Sequence, residues 1–147
     1  MKKLFLLTAL MSLLSTAGAQ TVGSKSGNGE KSNGCKQQAN VAGISTVAVD
    51  EFAKRIGQRN IVLLDVRGPR EYAEGHLEGA RNVEWGDGFE SRMMASGIGR
   101  GATVAVYCRA GRRSKAAARA LVKMGYRVVN LDGGIMAWRK AGKPIVK

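Results

Sequence analysis

Cysteine, histidine and proline are scarce in this chain, which contains two cysteines, one histidine and two prolines. Two cysteines and one histidine cannot form a Cys₄ or Cys₂His₂ zinc site, and two cysteines are too few to cross-link a disulfide-rich scaffold. The chain also lacks a P-loop, a G-x-G-x-x-G fingerprint and a G-x-S-x-G elbow. These absences exclude the commonest sequence signatures of nucleotide binding and serine hydrolysis. We therefore expect neither a metal ion nor a cofactor.

The chain is long enough and apolar enough for one folded domain. It has 147 residues, of which 44% are hydrophobic, so wholesale disorder is excluded. Lysine and arginine total 24 against 11 acidic residues, a formal charge of +13. Basic proteins attract nucleic acid and acidic lipid, but no basic stripe interleaved with aromatic residues is present. We interpret the charge as a solvated surface, and we expect a monomer with no nucleic-acid partner.

The first nineteen residues have the pattern of an export signal. Lys2 and Lys3 precede an uncharged apolar run, Leu4–Leu14, and small residues at 17–19 then supply a cleavage pattern. The run is about half the ~20 apolar residues that a membrane span requires, so we predict a signal peptide over residues 1–19. We expect an exported, periplasmic protein with no stable membrane insertion after cleavage.

The next segment differs from the remainder in composition. Residues 20–43 are mostly Gly, Ser, Asn, Gln and Lys, without apolar periodicity. Such a segment cannot bury enough surface to offset its ordering entropy, so we predict a flexible tether before a folded domain over residues 44–147. Cys35 lies in this tether. It is either an incidental exposed cysteine or a thiol that pairs with Cys108 or with another protein.

Apolar runs alternate with amphipathic segments along residues 44–147. Continuous apolar runs are typical of strands that are covered on both faces, as in a parallel sheet. The predicted strands are Ser45–Val47, Ile61–Leu64, Ala80–Val83, Thr103–Tyr107 and Val128–Leu131. The predicted helices are Asp50–Ile56, Phe89–Ser96, Ser114–Met124 with Ser114 as its N-cap, and Ile135–Lys140. The alternation predicts an α/β domain with a central, largely parallel sheet flanked by helices.

One loop carries the strongest chemical signal. It joins a predicted strand to a predicted helix and comprises Cys108, Arg109, Ala110, Gly111, Arg112, Arg113 and Ser114. In parallel sheets, ligands bind at the carboxyl ends of strands, where a cysteine faces backbone N–H donors and the positive end of a helix dipole. These donors favour the thiolate, Gly111 allows a positive φ, and the arginines favour oxyanions. The loop predicts a pocket that binds a small anion and attacks it with sulfur.

Further motifs occur in a characteristic order along the chain. They are Asp65-Val66-Arg67, Glu71-Tyr72, Gly75-His76-Leu77, Gly79-Ala80-Arg81-Asn82, Val106-Tyr107-Cys108 with Gly111 and Ser114, Gly125-Tyr126, and Leu131-Asp132-Gly133-Gly134 with Trp138. In this ordered set, residues 44–147 resemble the rhodanese-like, or thiosulfate sulfurtransferase, domain, and most of all its small periplasmic single-domain members. The resemblance implies a central, largely parallel five-stranded sheet flanked by helices.

The resemblance also implies a ping-pong sulfur transfer. Cys108 would take the outer sulfur of thiosulfate, or of a similar small anionic donor, and become a persulfide. The persulfide would then pass its sulfur to a thiophilic acceptor such as cyanide. Loop amides from Arg109 to Ser114 would hold the persulfide, and Arg109, Arg112 or Arg113 would bind the sulfonate of thiosulfate.

Residues outside the loop take supporting roles in this resemblance. Asp65 and Arg67 would lie beside the loop and support it, or would form a strand-end salt bridge with no part in substrate binding. His76 stands in a Gly-His-Leu-Glu-Gly stretch that the family uses structurally. We therefore expect a packing or hydrogen-bonding histidine rather than a general base.

Three other functions are compatible with parts of the sequence. A phosphatase or arsenate reductase on the same fold uses a Cys-x₅-Arg loop, but here the sixth position after Cys108 is Ser114, and Arg113 comes one residue early. A thiol-redox protein could use Cys108 with Cys35 through the tether, although no Cys-x-x-Cys motif is present. An anion-binding module would need only the basic charge.

Overall fold

A single parallel sheet organises the part of the chain that the computed structural model describes, residues 42–147. Its order is β1-β5-β4-β2-β3, and all four neighbouring pairs are parallel. The strands are β1 Ile44–Val47, β2 Ile61–Asp65, β3 Arg81–Asn82, β4 Thr103–Tyr107 and β5 Arg127–Leu131. The predicted fold class is confirmed: an α/β domain with a five-stranded sheet flanked by helices.

Among the described residues, four helices connect successive strands and a fifth follows β5. They are α1 Val49–Ile56, α2 Pro69–Ala73, α3 Phe89–Ala95, α4 Arg112–Lys123 and α5 Gly134–Lys140. The sequence analysis missed α2, because this five-residue helix buries no side chain and so has no apolar periodicity. Proline suits the first position of this helix, because its φ is already fixed near the helical value and it has no N–H that would be left unpaired there.

The N-cap of α4 was wrongly predicted as Ser114. The helix begins at Arg112, and its N-cap is Gly111, whose φ of 97° turns the chain sharply out of β4. Ser114 is instead fully buried within the first turn, and its hydroxyl donates a hydrogen bond to the Gly111 carbonyl at 3.2 Å. Because only glycine adopts this φ readily, the turn can be tight enough to place helix and cysteine together.

Both faces of the sheet are buried. Along β4, Val104 and Val106 pack into one core with α4, while Ala105 and Tyr107 pack into a second core with Phe52 and other residues on the opposite face. Alternate residues therefore enter different cores, which explains why β4 is buried at every position from Val104 to Tyr107. The two cores fix the carboxyl end of β4 from both sides.

The first turn of α5 holds the loop that follows β4. The amides of Ile135 and Met136 donate to the carbonyl oxygens of Cys108 at 2.8 Å and Arg109 at 3.1 Å. Gly134 has a φ of 60°, and a Cβ there would collide with the Cys108 carbonyl and lie 2.6 Å from that of Arg109. The close approach of α5 to the loop therefore depends on glycine at position 134.

The predicted signal peptide, Cys35 and all but the last two residues of the predicted tether lie outside the described residues. Their roles stay predictions. Within residues 42–147, no helix is long and apolar enough to span a bilayer.

Gly134→Ala should destabilise the domain by about 2–4 kcal/mol, from a left-handed backbone penalty of about 1–2 kcal/mol and a comparable steric cost. The free energy of urea unfolding measures the loss. Gly142→Ala is the matched control, since Gly142 also has a positive φ of 70° but has no atom within 4 Å of its Cβ position. It should lose only about 1–2 kcal/mol. Equal losses in the two variants would contradict the proposed close approach.

Candidate active site

Cys108 directly follows β4 and lies at the carboxyl edge of the sheet. Its residue surface is 1% exposed, and the Gly111 amide donates to its Sγ over 3.1 Å. Because the Gly111 amide also lies at the N-terminus of α4, the sulfur faces the positive end of a twelve-residue helix. The sulfur thus lies beside a backbone donor at a helix N-terminus, the surroundings that the loop sequence predicts.

A cavity of about 550 Å³ opens beside Cys108. Its lining consists of three residues directly after β4, three residues of α4 and one aromatic side chain: Cys108, Arg109, Ala110, Arg112, Arg113, Ala116 and Trp85. Four of the six predicted loop residues around Cys108 therefore reach the cavity. Gly111 supplies the amide on the sulfur, and Ser114 is buried beneath the loop.

Arg113 is held by a carboxylate from another element. Its two terminal nitrogens lie 2.6 and 2.9 Å from the two oxygens of Glu71, which belongs to α2. This bond lowers the pKa of Glu71, and the same carboxylate, with a smaller contribution from Cys108, raises the pKa of Arg113. Arg113 thus brings its charge to the cavity already paired. Sequence reasoning gave Glu71 no role, although it stands in the quoted Glu71-Tyr72 motif.

Arg109 and Arg112 are the free cations of the cavity. Both are exposed, and within residues 42–147 neither forms a salt bridge nor a side-chain hydrogen bond. A guanidinium with unpaired donors at the mouth of a cavity suits an oxyanion such as a sulfonate. These two arginines are therefore available to a ligand, unlike Arg113.

Asp65 and Arg67 form a buried ion pair beneath this edge of the sheet. Arg67 Nη2 lies 2.6 Å from Asp65 Oδ2 and also donates to the Gly75 carbonyl at 2.8 Å. Burial opposes the charge of Arg67, but the Asp65 carboxylate outweighs it and raises the pKa of Arg67. Asp65 pairs in register with Tyr107, the residue before Cys108. Neither charged residue lines the cavity, and their supporting role stays a prediction.

His76 is engaged in packing. Its ring stacks on Tyr72 with centroids 3.7 Å apart, and its backbone forms a bridge with Val146. The ring Nδ1 lies 3.1 Å from the Tyr72 carbonyl oxygen. These contacts agree with the structural role expected for this histidine.

Trp85, like Ala116, lines the cavity and was missed by sequence reasoning. It follows β3 at the carboxyl edge of the sheet, and its amide donates to the Val66 carbonyl at 3.1 Å. Its position just after the predicted strand Ala80–Val83 was the available signal. As for metals, no cluster of three or more His, Cys, Asp or Glu able to hold an ion occurs in residues 42–147.

The Glu71–Arg113 pair should make stability depend on pH. Because the pKa of Glu71 is lower in the folded chain than its ordinary 4.5, the pair stabilises folding above pH 4.5, and this contribution is lost as pH falls through the lower folded value. Glu71→Gln should therefore cost about 0.5–1 kcal/mol at pH 7, since both side chains are about one-third exposed. Urea unfolding near pH 3 should show a smaller difference.

Glu78→Gln is the matched control, because Glu78 is exposed and forms no salt bridge in the described part of the chain. It should leave stability nearly unchanged at both pH values. A Glu71→Gln effect that stays constant between pH 7 and pH 3 would show that the ion pair contributes nothing.

Comparisons with known proteins agree with this geometry. The Allochromatium vinosum protein "Sulfurtransferase" is 35% identical over 105 residues, covering 70% of this chain and 95% of that one. The crystal structure of a rhodanese-related protein from Thermoplasma volcanium is similar, with a TM-score of 0.60 and 29% identity over 69% of this chain and 96% of that one. The structure of reduced CoADR-RHD from Bacillus anthracis has a TM-score of 0.61 and 30% identity, covering 71% of this chain and 18% of that one. Residues 48–141 match the Rhodanese-like domain, and the chain belongs to that family.

Proposed function

We propose that this protein is a sulfurtransferase that moves the sulfane sulfur of thiosulfate, or of a similar anionic donor, to a thiophilic acceptor such as cyanide. The observation that carries the proposal is Cys108 itself. Its sulfur accepts a hydrogen bond from the Gly111 amide. Cys108 also lines a cavity in which Arg109 and Arg112 have unpaired guanidinium groups. Nucleophile, helix N-terminus and anion-binding groups thus meet in one place.

In the first half-reaction, the Cys108 thiolate attacks the outer sulfur of thiosulfate. A bond forms between the two sulfurs, the original sulfur–sulfur bond breaks, and sulfite leaves with the electron pair. Arg109 and Arg112 bind the sulfonate and stabilise the charge that develops on departing sulfite. The nucleophile of this step is the thiolate, and the Gly111 amide donates to its Sγ.

In the second half-reaction, cyanide attacks the outer sulfur of the Cys108 persulfide. Thiocyanate leaves, and the electron pair of the broken sulfur–sulfur bond returns to Cys108 as the thiolate. The Gly111 amide donates to Cys108 Sγ, so it stabilises the sulfur as leaving group here and as nucleophile in the first step. The same contact therefore serves both halves of the cycle.

The relatives and the loop geometry support sulfur transfer over phosphoryl transfer. The similar Allochromatium protein is named a sulfurtransferase, and the two chains match over 95% of its length. At the sixth position after Cys108 stands buried Ser114, bonded back to Gly111, and the preceding Arg113 is bound to Glu71. No unpaired arginine occupies the position from which a Cys-x₅-Arg loop binds phosphate oxygens.

Cys108→Ser should reduce thiocyanate formation from thiosulfate and cyanide to the uncatalysed rate, because serine cannot form a persulfide. Steady-state rates of the wild-type protein at varied concentrations of both substrates should give the parallel double-reciprocal lines of a ping-pong cycle. An unchanged urea-unfolding midpoint shows that the variant is folded. Full activity in a folded Cys108→Ser variant would place the nucleophile elsewhere.

Arg112→Gln should raise KM for thiosulfate about tenfold with a smaller change in kcat, since it removes a charge-assisted contact worth at least about 1.4 kcal/mol. Arg119→Gln is the matched control. Arg119 lies on the same helix, is exposed and does not line the cavity, so its loss removes one positive charge without removing the contact. Equal KM values in the two variants would assign the effect to net charge.

A further inference from the structure

A second cavity, of about 500 Å³, lies where α2, the loop after β4 and α5 meet. Of the described residues, Arg109 alone lines both this cavity and the one beside Cys108. The volume falls within the range of roughly 300–1,000 Å³ that takes small organic ligands. The charged residues that line the second cavity are Arg67, Glu71, Glu74, Arg109 and Arg139. The ligand that fits it therefore depends on which of these charges the fold leaves free.

Two of these charges are already paired within the fold. Arg67 donates through Nε and Nη2 to the Asp65 carboxylate, and through Nη2 to the Gly75 carbonyl. Glu71 accepts hydrogen bonds from both terminal nitrogens of Arg113. A charge that is balanced by a close partner of opposite sign attracts a ligand only weakly. Arg67 and Glu71 therefore shape the second cavity without setting its free charge.

The other three charges are unpaired. Glu74, Arg109 and Arg139 are exposed, and none of them forms a salt bridge within residues 42–147. Arg139 extends from α5 to the end of α2, since its Nη2 lies 3.4 Å from the position that a Cβ on Gly75 would occupy. The second cavity thus presents two free guanidinium groups and one free carboxylate to a ligand.

A ligand that complements these groups carries two anionic groups and one cationic group. Guanidinium groups bind carboxylates through paired N–H donors, and a free carboxylate such as that of Glu74 binds an ammonium group. Ile135 and Met136 add apolar surface to the lining, and Met136 is 53% exposed. An acidic amino acid has this combination, because two carboxylates and one ammonium group are joined by a short carbon chain.

We infer that the second cavity is a binding site for an acidic amino acid, with the two carboxylates on Arg109 and Arg139 and the ammonium group on Glu74. This binding does not depend on the proposed function, but one consequence of it does. Since Arg109 lines both cavities, a bound amino acid occupies a guanidinium that the sulfonate of thiosulfate also uses. Glutamate should therefore raise KM for thiosulfate.

The test titrates glutamate into the full chain and measures its affinity from amide chemical shifts by NMR. Glutamine, which lacks the second carboxylate, should bind about tenfold more weakly than glutamate, the scale of one charge-assisted contact. Arg139→Gln should weaken glutamate binding about tenfold for the same reason. Lys140→Gln is the matched control, because Lys140 is exposed on the same helix and does not line the second cavity. It should leave the affinity nearly unchanged.

The ammonium contact is tested with glutarate, which is glutamate without its amino group. Glu74→Gln should lower the ratio of glutamate affinity to glutarate affinity about threefold, the scale of an exposed ion pair. Glu78→Gln is the control, since Glu78 is exposed and does not line the second cavity. A ratio that Glu74→Gln leaves unchanged would overturn the assignment of an amino acid to this site.

A kinetic measurement separates this inference from the proposed function. Saturating glutamate should raise KM for thiosulfate in the wild-type protein and leave it unchanged in Arg139→Gln. An unchanged KM beside measured binding would overturn the sharing of Arg109. If the chain transfers no sulfur at all, the proposed function fails and the NMR titrations still decide the site. Absence of saturable shifts, or equal weakening in Arg139→Gln and Lys140→Gln, would overturn the site while thiosulfate turnover stands.

Discussion

The site depends on one close contact between two distant parts of the chain. The first amides of α5 donate to the carbonyls of Cys108 and Arg109, and this brings α5 against the loop that leaves β4. The contact tolerates no side chain at position 134, where a Cβ would meet the Cys108 carbonyl. The same loop carries the Gly111 amide that donates to the Cys108 sulfur. Backbone geometry thus sets the surroundings of Cys108, which the proposed function makes the nucleophile.

Acidic residues pair with some of the arginines near the site and leave the others unpaired. Asp65 neutralises Arg67 beneath the sheet edge, and Glu71 of α2 neutralises Arg113 at the cavity wall. A guanidinium paired with a carboxylate holds parts of the fold together, whereas an unpaired guanidinium is available to bind an anion. Arg109 and Arg112 keep their charge for the ligand. The strongly basic loop is therefore less positive than its sequence suggests, and its free charge lies at the cavity beside Cys108.

Much of this arrangement could be predicted from the chain alone. The sheet followed from continuous apolar runs, because burial on both faces leaves that pattern, and Cys108 followed from its place between a strand and a helix. The helix α2 escaped prediction, since five residues without buried side chains carry no period. The N-cap at Gly111 was missed because a left-handed glycine competes with serine for that position. Pairings such as Glu71 with Arg113 join residues 42 positions apart, and nothing local in the sequence reports them.

The central claim is that Cys108 carries sulfur as a persulfide, and the intact mass of the protein tests it most directly. The reduced, folded protein is treated with thiosulfate, weighed, treated with cyanide and weighed again, beside Cys108→Ser. The account predicts a gain of one sulfur atom that cyanide removes and that the serine variant never acquires. No gain in the wild-type protein, or an equal gain in Cys108→Ser, would contradict it.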